Sequence, residues 1–173
     1  QWVSNQTVKF LTPEEEAKVD RKKVISAPMR YVRTNKGVDE LAAKSRLVIP
    51  GHRDPQIGLY RTDASTTSSL AVTVVATLAM SLGRFGEVFD VTTAFLSGLP
   101  IDREVFVRAP REGLPAVGGF PRIRPYGLLR LLKGAYGLTE APRLWYLRAR
   151  ELLKKLGFVE LRCARAVFTL RDK

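Results

Sequence analysis

Three kinds of residue in this chain could do chemistry: a carboxylate at the end of an apolar run, a row of cations at helical spacing, and single copies of histidine and cysteine. Asp90 follows Val88-Phe89 in the segment Glu87–Val91, which reads as a short strand. A carboxylate there either projects at a sheet edge into a cleft or caps the turn of Thr92–Leu96, and residue type alone favours the cap. Arg143, Arg148, Arg150, Lys154 and Lys155 fall mainly on the outer side of a helix over Ala141–Leu156. Such a row grips phosphates, or it is only a solvated face. His52 and Cys163 each stand alone. A histidine metal cage or a Ser-His-Asp triad therefore has little to work with, and an internal disulfide is excluded.

Those residues need elements to hold them, and the pattern supplies a mixed set. Thr12-Pro13-Glu14-Glu15-Glu16 reads as a cap, a proline at the first helical position and an acidic first turn, for a short helix ending near Arg21–Lys23. Val24–Ile25 and Met29–Thr34 look like strand, with Asn35-Lys36-Gly37 as a turn and Lys44–Pro50 as the returning strand. From Thr67 the period becomes helical. Leu70, Val74 and Leu78 share a face with Ala71, Val75 and Leu82, and Gly83 stands at the C-terminal cap. Short strands follow at Glu104–Val107 and Leu128–Leu132, separated by a surface loop with four prolines and four glycines in residues 109–128. The helix over Ala141–Leu156 turns Leu144, Leu147, Leu152 and Leu156 inward and stops at Gly157, and Val167–Leu170 is a last candidate strand. Strands and helices mix without strict alternation, which favours α+β.

Charge narrows the partner. Lys plus Arg total 29 against 17 for Asp plus Glu, a net charge of +12 and a pI near 10.3. Residues 1–60 carry 11 basic and 7 acidic side chains, 61–120 carry 5 and 6, and 121–173 carry 13 and 4. A near-neutral middle between basic ends suits a polyanion gripped by the outer segments, so nucleic acid is favoured over no polyanionic partner at all. With 173 residues, 45% of them hydrophobic, the chain can build a core, and disorder over its full length is excluded. The longest nearly uncharged stretch, Ala64–Gly83, holds seven Ser or Thr hydroxyls between Ser65 and Thr77 and is too short and polar to span a bilayer. No membrane partner is expected. Gln1 does not read as a natural start and no signal peptide opens the chain. An intracellular setting is expected, with cytoplasmic particle and nucleus both left open by the sequence.

At residues 89–98 the pattern becomes specific. Phe89-Asp90-Val91-Thr92-Thr93-Ala94-Phe95-Leu96-Ser97-Gly98 resembles the signature of copia-type retrotransposon reverse transcriptases, an Asp-Val-x-x-Ala-Phe-Leu-x-Gly run after a hydrophobic strand. Ala43-Lys44-Ser45-Arg46-Leu47-Val48 is similar to the family's Lys-Ala-Arg-Leu-Val run. The stretch from Leu131 through Tyr136-Gly137-Leu138-Thr139-Glu140-Ala141-Pro142-Arg143 to Tyr146 resembles its Tyr-Gly-Leu-Lys-Gln-Ala-Pro-Arg block. Three motifs in order are far more specific than one, and together they cover roughly residues 25–173.

The resemblance implies a right-hand polymerase of the α+β class, with antiparallel sheet and packed helices. Residues 1–24 would be a flanking segment, 25–66 a fingers-like hairpin and loop, and 67–173 a partial palm with further fingers elements. It implies RNA template and DNA primer, deoxynucleoside triphosphates, and two Mg²⁺ ions, with Mn²⁺ as a substitute. Asp90 then becomes the catalytic metal ligand, because magnesium takes carboxylate oxygens and leaves other positions to water and phosphate. The backbone N–H groups of Val91, Thr92, Thr93, Ala94 and Phe95 would lie near the triphosphate. Lys44 and Arg46 would reach its β- and γ-phosphates, unless they are a solvated pair on a hairpin. Phe95 would stand under the sugar and reject a 2′-hydroxyl, the alternative being a core aromatic behind the turn. Tyr136 and Gly137 would lie beside the incoming base pair, or form an ordinary aromatic-glycine turn. The cations of the last helix would hold nucleic acid.

Two segments depart from the family. Thr139-Glu140 replaces Lys-Gln and adds a negative charge beside the expected nucleotide path, and Ala164 stands where an Asp is common. The family also uses a Tyr-x-Asp-Asp hairpin, whereas these 173 residues contain no Asp-Asp dipeptide. The expectation is a piece of a Pol polyprotein, partnered by its integrase and RNase H regions and inactive as a polymerase by itself. The competing reading is a non-catalytic nucleic-acid-binding remnant of a decayed or repurposed retroelement. A basic structural protein of a ribonucleoprotein would need the motifs to be coincidence.

Overall fold

A computed structural model describes residues 1–35, 37 and 42–170. The expected turn at Asn35-Lys36-Gly37 lies partly outside the described residues. The α+β class is observed, with antiparallel pairing throughout the named strands. The central sheet has three short strands in the order β1 (Val8–Phe10), β5 (Leu128–Leu131), β4 (Phe106–Arg108). Two hairpins flank it, β2 (Arg30–Asn35) with β3 (Ala43–Val48), and β6 (Phe158–Glu160) with β7 (Phe168–Leu170).

The period of two in a strand explains the two cores. Val105 and Val107 with Leu129 and Leu131 face one side, where they join Ile25, Met29, Ile49, Leu96, Leu138 and Ala141. Phe106 and Leu128 face the other, with Val24. Each Val or Leu side chain so buried contributes about 1.5–3 kcal/mol. The strand expected at Val24–Ile25 is reduced to one parallel bridge, Val24 to Phe106.

Helix α1 (Pro13–Ala17) starts as its residues dictate. The Thr12 hydroxyl accepts from the Glu15 N–H at 3.2 Å, and the Glu15 carboxylate accepts from the Thr12 N–H at 3.0 Å. It stops early, and Arg21–Lys23 form a separate 3-10 turn capped by Asp20. Helix α2 (Ser69–Ser81) begins at the Ser68 cap and ends before Gly83, whose φ of +63° completes the stop. Its apolar face is uncovered among the described residues, with Leu70 74% and Leu78 57% exposed.

The strand expected at Glu87–Val91 does not form. This segment is irregular and exposed, with Val88 and Phe89 in solvent. Strand propensity needs an edge to pair with, and no described strand offers one here. Helix α3 (Ala141–Lys155) packs its first half on a 3-10 turn at Ala94–Ser97 and its second on β6. Leu144 and Leu147 are half-buried as expected, but Leu152 and Leu156 are exposed, because the described chain lays nothing over that end. Among the described residues no helix is long and apolar enough to cross a membrane.

Candidate functional site

A cleft of about 880 Å³ is lined by Lys44, Arg46, Asp90, Val91, Thr92, Thr93, Ala94, Phe95 and Tyr136, with Trp2 and Tyr31. Local structure explains how each gets there. In the β2–β3 ribbon Arg46 is opposite Val32 and Lys44 opposite Thr34, so the two cations are two residues apart and share a face. The 3-10 turn Ala94–Ser97 is anchored by Leu96, which is fully buried. Gly98 lets this turn meet α3: a Cβ there would sit 3.1 Å from the Trp145 nitrogen, and the Leu99 N–H donates to the Leu144 carbonyl at 3.2 Å.

Thr93 enters the turn with φ +57°, a left-handed conformation that costs a β-branched residue about 1–3 kcal/mol. Its carbonyl accepts from the N–H groups of Leu96 and Ser97 at 2.9 and 3.2 Å, which holds the strained residue in place. Phe95 is half-buried and packs against the main core, and its ring meets Tyr136 edge-on, with centroids 5.6 Å apart. Asp90 is exposed at the cleft, and its carboxylate makes no hydrogen bond or ion pair among the described residues. It does not cap the turn, which has no side-chain cap.

Gly137 is not part of the cleft lining. Its carbonyl accepts from the Gly51 N–H at 3.1 Å, and the Tyr136 carbonyl accepts from the Ile49 N–H at 2.8 Å. A Cβ at Gly137 would stand 2.1 Å from the Ile49 carbonyl oxygen, on a backbone with φ +86°. The glycine is required where the end of β3 crosses the 136–137 turn, an approach made by the protein's own backbone.

Glu140 corrects the sequence expectation. Its side chain is buried and turned away from the cleft, onto Arg103, whose Nε and Nη2 donate to Oε1 at 2.9 and 2.6 Å. Nη2 also donates to Asp54 Oδ2 at 2.6 Å, and Nη1 donates to Gln56. The guanidinium lies 3.8 Å from the Tyr60 ring centroid, and the Tyr60 hydroxyl bonds both Asp54 and Thr139, at 2.9 and 2.7 Å. Burial pushes the Glu140 carboxyl up, against the pull of Arg103. Burial works against the charge on Arg103 too, but Glu140 and Asp54 outweigh it and raise the guanidinium's pKa. Thr139 and Glu140, which stand where the family's block has Lys-Gln, are thus both tied into one buried network. Sequence reasoning missed it because Asp102-Arg103-Glu104 looks like any charged surface triplet.

The cations of α3 divide. Arg148 and Lys155 pair with Glu151 at 3.2 and 2.8 Å, on the helix itself. Arg143 pairs with Asp63 at 2.9 Å and Arg150 with Glu160 at 2.7 Å, and Lys154 has no ion pair among the described residues. Burial opposes ionisation of Glu160, but the Tyr146 hydroxyl, the Ala166 N–H and Arg150 prevail and hold its pKa below the usual range. None of these five cations lines the cleft. Among the described residues no three metal-ligating side chains cluster, so Asp90 is the one carboxylate at the cleft.

Comparison with known proteins agrees with the motifs. Residues 17–172 match the family model described as "Reverse transcriptase (RNA-dependent DNA polymerase)". The chain is 32% identical over 129 residues to the Retrovirus-related Pol polyprotein from transposon RE2 of Arabidopsis thaliana, and 30% over 129 residues to that from transposon RE1 of the same plant, covering 74% of this chain in each case. It is 29% identical over 118 residues, 68% of the chain, to the polyprotein from transposon TNT 1-94 of Nicotiana tabacum. The matched region spans 8% of the length of each of these polyproteins. No solved structure matches the chain.

Proposed function

This chain belongs to the reverse transcriptase (RNA-dependent DNA polymerase) family, in the form found in Pol polyproteins of copia-type retrotransposons, and from that premise we propose that its cleft binds the incoming deoxynucleoside triphosphate of RNA-templated DNA synthesis. One observation carries the reading: Lys44 and Arg46, the Asp90–Phe95 segment and Tyr136, from three separated parts of the sequence, line one cleft. In this reading residues 25–66 act as fingers, 67–173 as part of a palm with further fingers elements, and 1–24 as a flank. RNA template, DNA primer and the remaining Pol regions, integrase and RNase H, are its partners.

The donor set suits magnesium at one position. An exposed carboxylate with no partner in the described chain, together with substrate phosphates, is the ligation that ion accepts. Asp90 would hold the ion together with phosphate oxygens, where it would supply neutralisation of phosphate charge. The chain's own residues do the rest. Lys44 and Arg46 hold the β- and γ-phosphates, the N–H groups of residues 91–95 face the triphosphate, and Phe95 braced by Tyr136 walls the sugar. The second ion of a two-metal site needs carboxylates beyond Asp90, so these 173 residues are expected to bind triphosphate without extending a primer.

Calorimetric titration of the chain with dTTP and Mg²⁺ tests the cleft. Lys44→Ala with Arg46→Ala should weaken dTTP by at least about a hundredfold, since each charge-assisted bond contributes about 1.5–3 kcal/mol, and should leave thymidine binding unchanged. Unaltered dTTP binding in the double variant would refute the assignment. A chain that binds nucleic acid but no triphosphate would instead be the non-catalytic remnant.

Phe95 sets the sugar. In a Pol polyprotein carrying this segment, Phe95→Val should raise ribonucleotide incorporation far more than it lowers deoxynucleotide incorporation, because a rigid ring excludes one extra heavy atom sterically. If both fall together, the ring serves only its packing on Tyr136.

A further inference from the structure

A second cavity, of about 740 Å³, opens between α3 and the β6–β7 hairpin and shares no lining residue with the cleft. Six cationic side chains line it, Arg61, Arg143, Arg150, Lys154, Arg162 and Arg165, against two carboxylates, Asp63 and Glu160. Both carboxylates are already occupied. Asp63 takes Arg61 and Arg143, each at 2.9 Å, and Glu160 takes Arg150, the Tyr146 hydroxyl and the Ala166 N–H. Lys154, Arg162 and Arg165 are exposed and have no ion pair among the described residues. The groove lining therefore keeps a net charge of +4, with three of its cations free of ion pairs among the described residues. The loop of residues 161–167 that carries two of them is fixed at its ends, by the β6–β7 pairing and by the Thr67 hydroxyl donating to the Ala166 carbonyl at 3.2 Å.

We propose that this groove is a second nucleic-acid site, holding a phosphodiester backbone by Lys154, Arg162 and Arg165 away from the nucleotide cleft. Five of the six cations are arginines, whose planar forks match phosphate oxygens in pairs, and the apolar floor of Leu147 and Phe158 lowers the local dielectric under them. Contacts to phosphate carry no sequence information, so binding held by these cations is sequence-independent and governed by ion release. The proposal rests on the chain's acting on nucleic acid but not on the identity of the triphosphate cleft. Of the row expected on α3, it retains Arg143, Arg150 and Lys154, adds Arg61, Arg162 and Arg165, and leaves out Arg148 and Lys155, which Glu151 engages.

The test measures binding of a fluorescent oligothymidylate to the 173-residue chain across a salt series. Lys154→Ala, Arg162→Ala and Arg165→Ala together should make the slope of log affinity against log salt shallower by about 2, from three contacts at roughly 0.7 each on a single strand. A control triple, Lys18→Ala, Lys22→Ala and Arg111→Ala, removes the same charge from exposed positions elsewhere and should shift the slope by well under 1. Equal shifts in both triples would show diffuse attraction and overturn the groove. Polyglutamate displacing the strand as well as an unlabelled oligonucleotide would overturn the phosphodiester assignment. If the unsubstituted chain itself shows no salt-dependent binding, the nucleic-acid reading falls with it. Salt-dependent binding that the groove triple leaves intact overturns this inference alone.

Discussion

Arg103→Ala is expected to cost the fold about 3–5 kcal/mol, a large share of the roughly 5–15 kcal/mol that holds a domain together. The arginine is 13% exposed, and the carboxylates of Asp54 and Glu140 that it joins are 0% and 5% exposed. Removing the cation leaves two like charges facing each other out of water, with the Tyr60 ring uncovered beside them. The midpoint of urea unfolding reads the loss. Adding Asp54→Asn and Glu140→Gln to Arg103→Met should recover most of it, because a neutral site of similar volume carries no unpaired charge. A loss below about 1 kcal/mol for Arg103→Ala would mean that solvent screens the network despite its burial.

The largest effect on chemistry is expected from Asp90→Asn in a Pol polyprotein carrying this segment. Primer extension should fall roughly a thousandfold, since metal-assisted stabilisation is worth several kcal/mol and each 1.36 kcal/mol is tenfold. Primer-template affinity should stay nearly unchanged. The exposed carboxylate makes no bond among the described residues, and the amide keeps its shape. A parallel loss of binding would return Asp90 to a structural role.

The sequence was most legible where local physics decides. The Thr12 cap, the Gly83 and Gly157 stops, the two strands of the β2–β3 ribbon and the span of α3 follow from residue type and period, and the structure has them within a few residues. Where an element depends on a partner, the reading failed. Residues 87–91 have strand composition but no edge to join, and Leu152 and Leu156 have the period of a buried stripe but nothing over them. The cleft residues were legible through motif order. Their grouping around one space was not, because it depends on a crossing of backbones that only Gly51 and Gly137 hint at. Glu140 was misread for the same reason: its partner, Arg103, lies far away in sequence and has no local signature.

That crossing also makes the cationic ribbon and the aromatic wall a single lever. Two backbone bonds, Ile49 to Tyr136 and Gly51 to Gly137, rivet the base of the β2–β3 arm to the segment that braces Phe95. Any ligand that draws Lys44 and Arg46 inward must transmit its pull through those rivets to the Tyr136 ring. Under the proposed function, the tail of a nucleotide and the fit around its sugar would therefore be felt together, and a substrate gripped at only one end would tension a joint that both ends are needed to relieve.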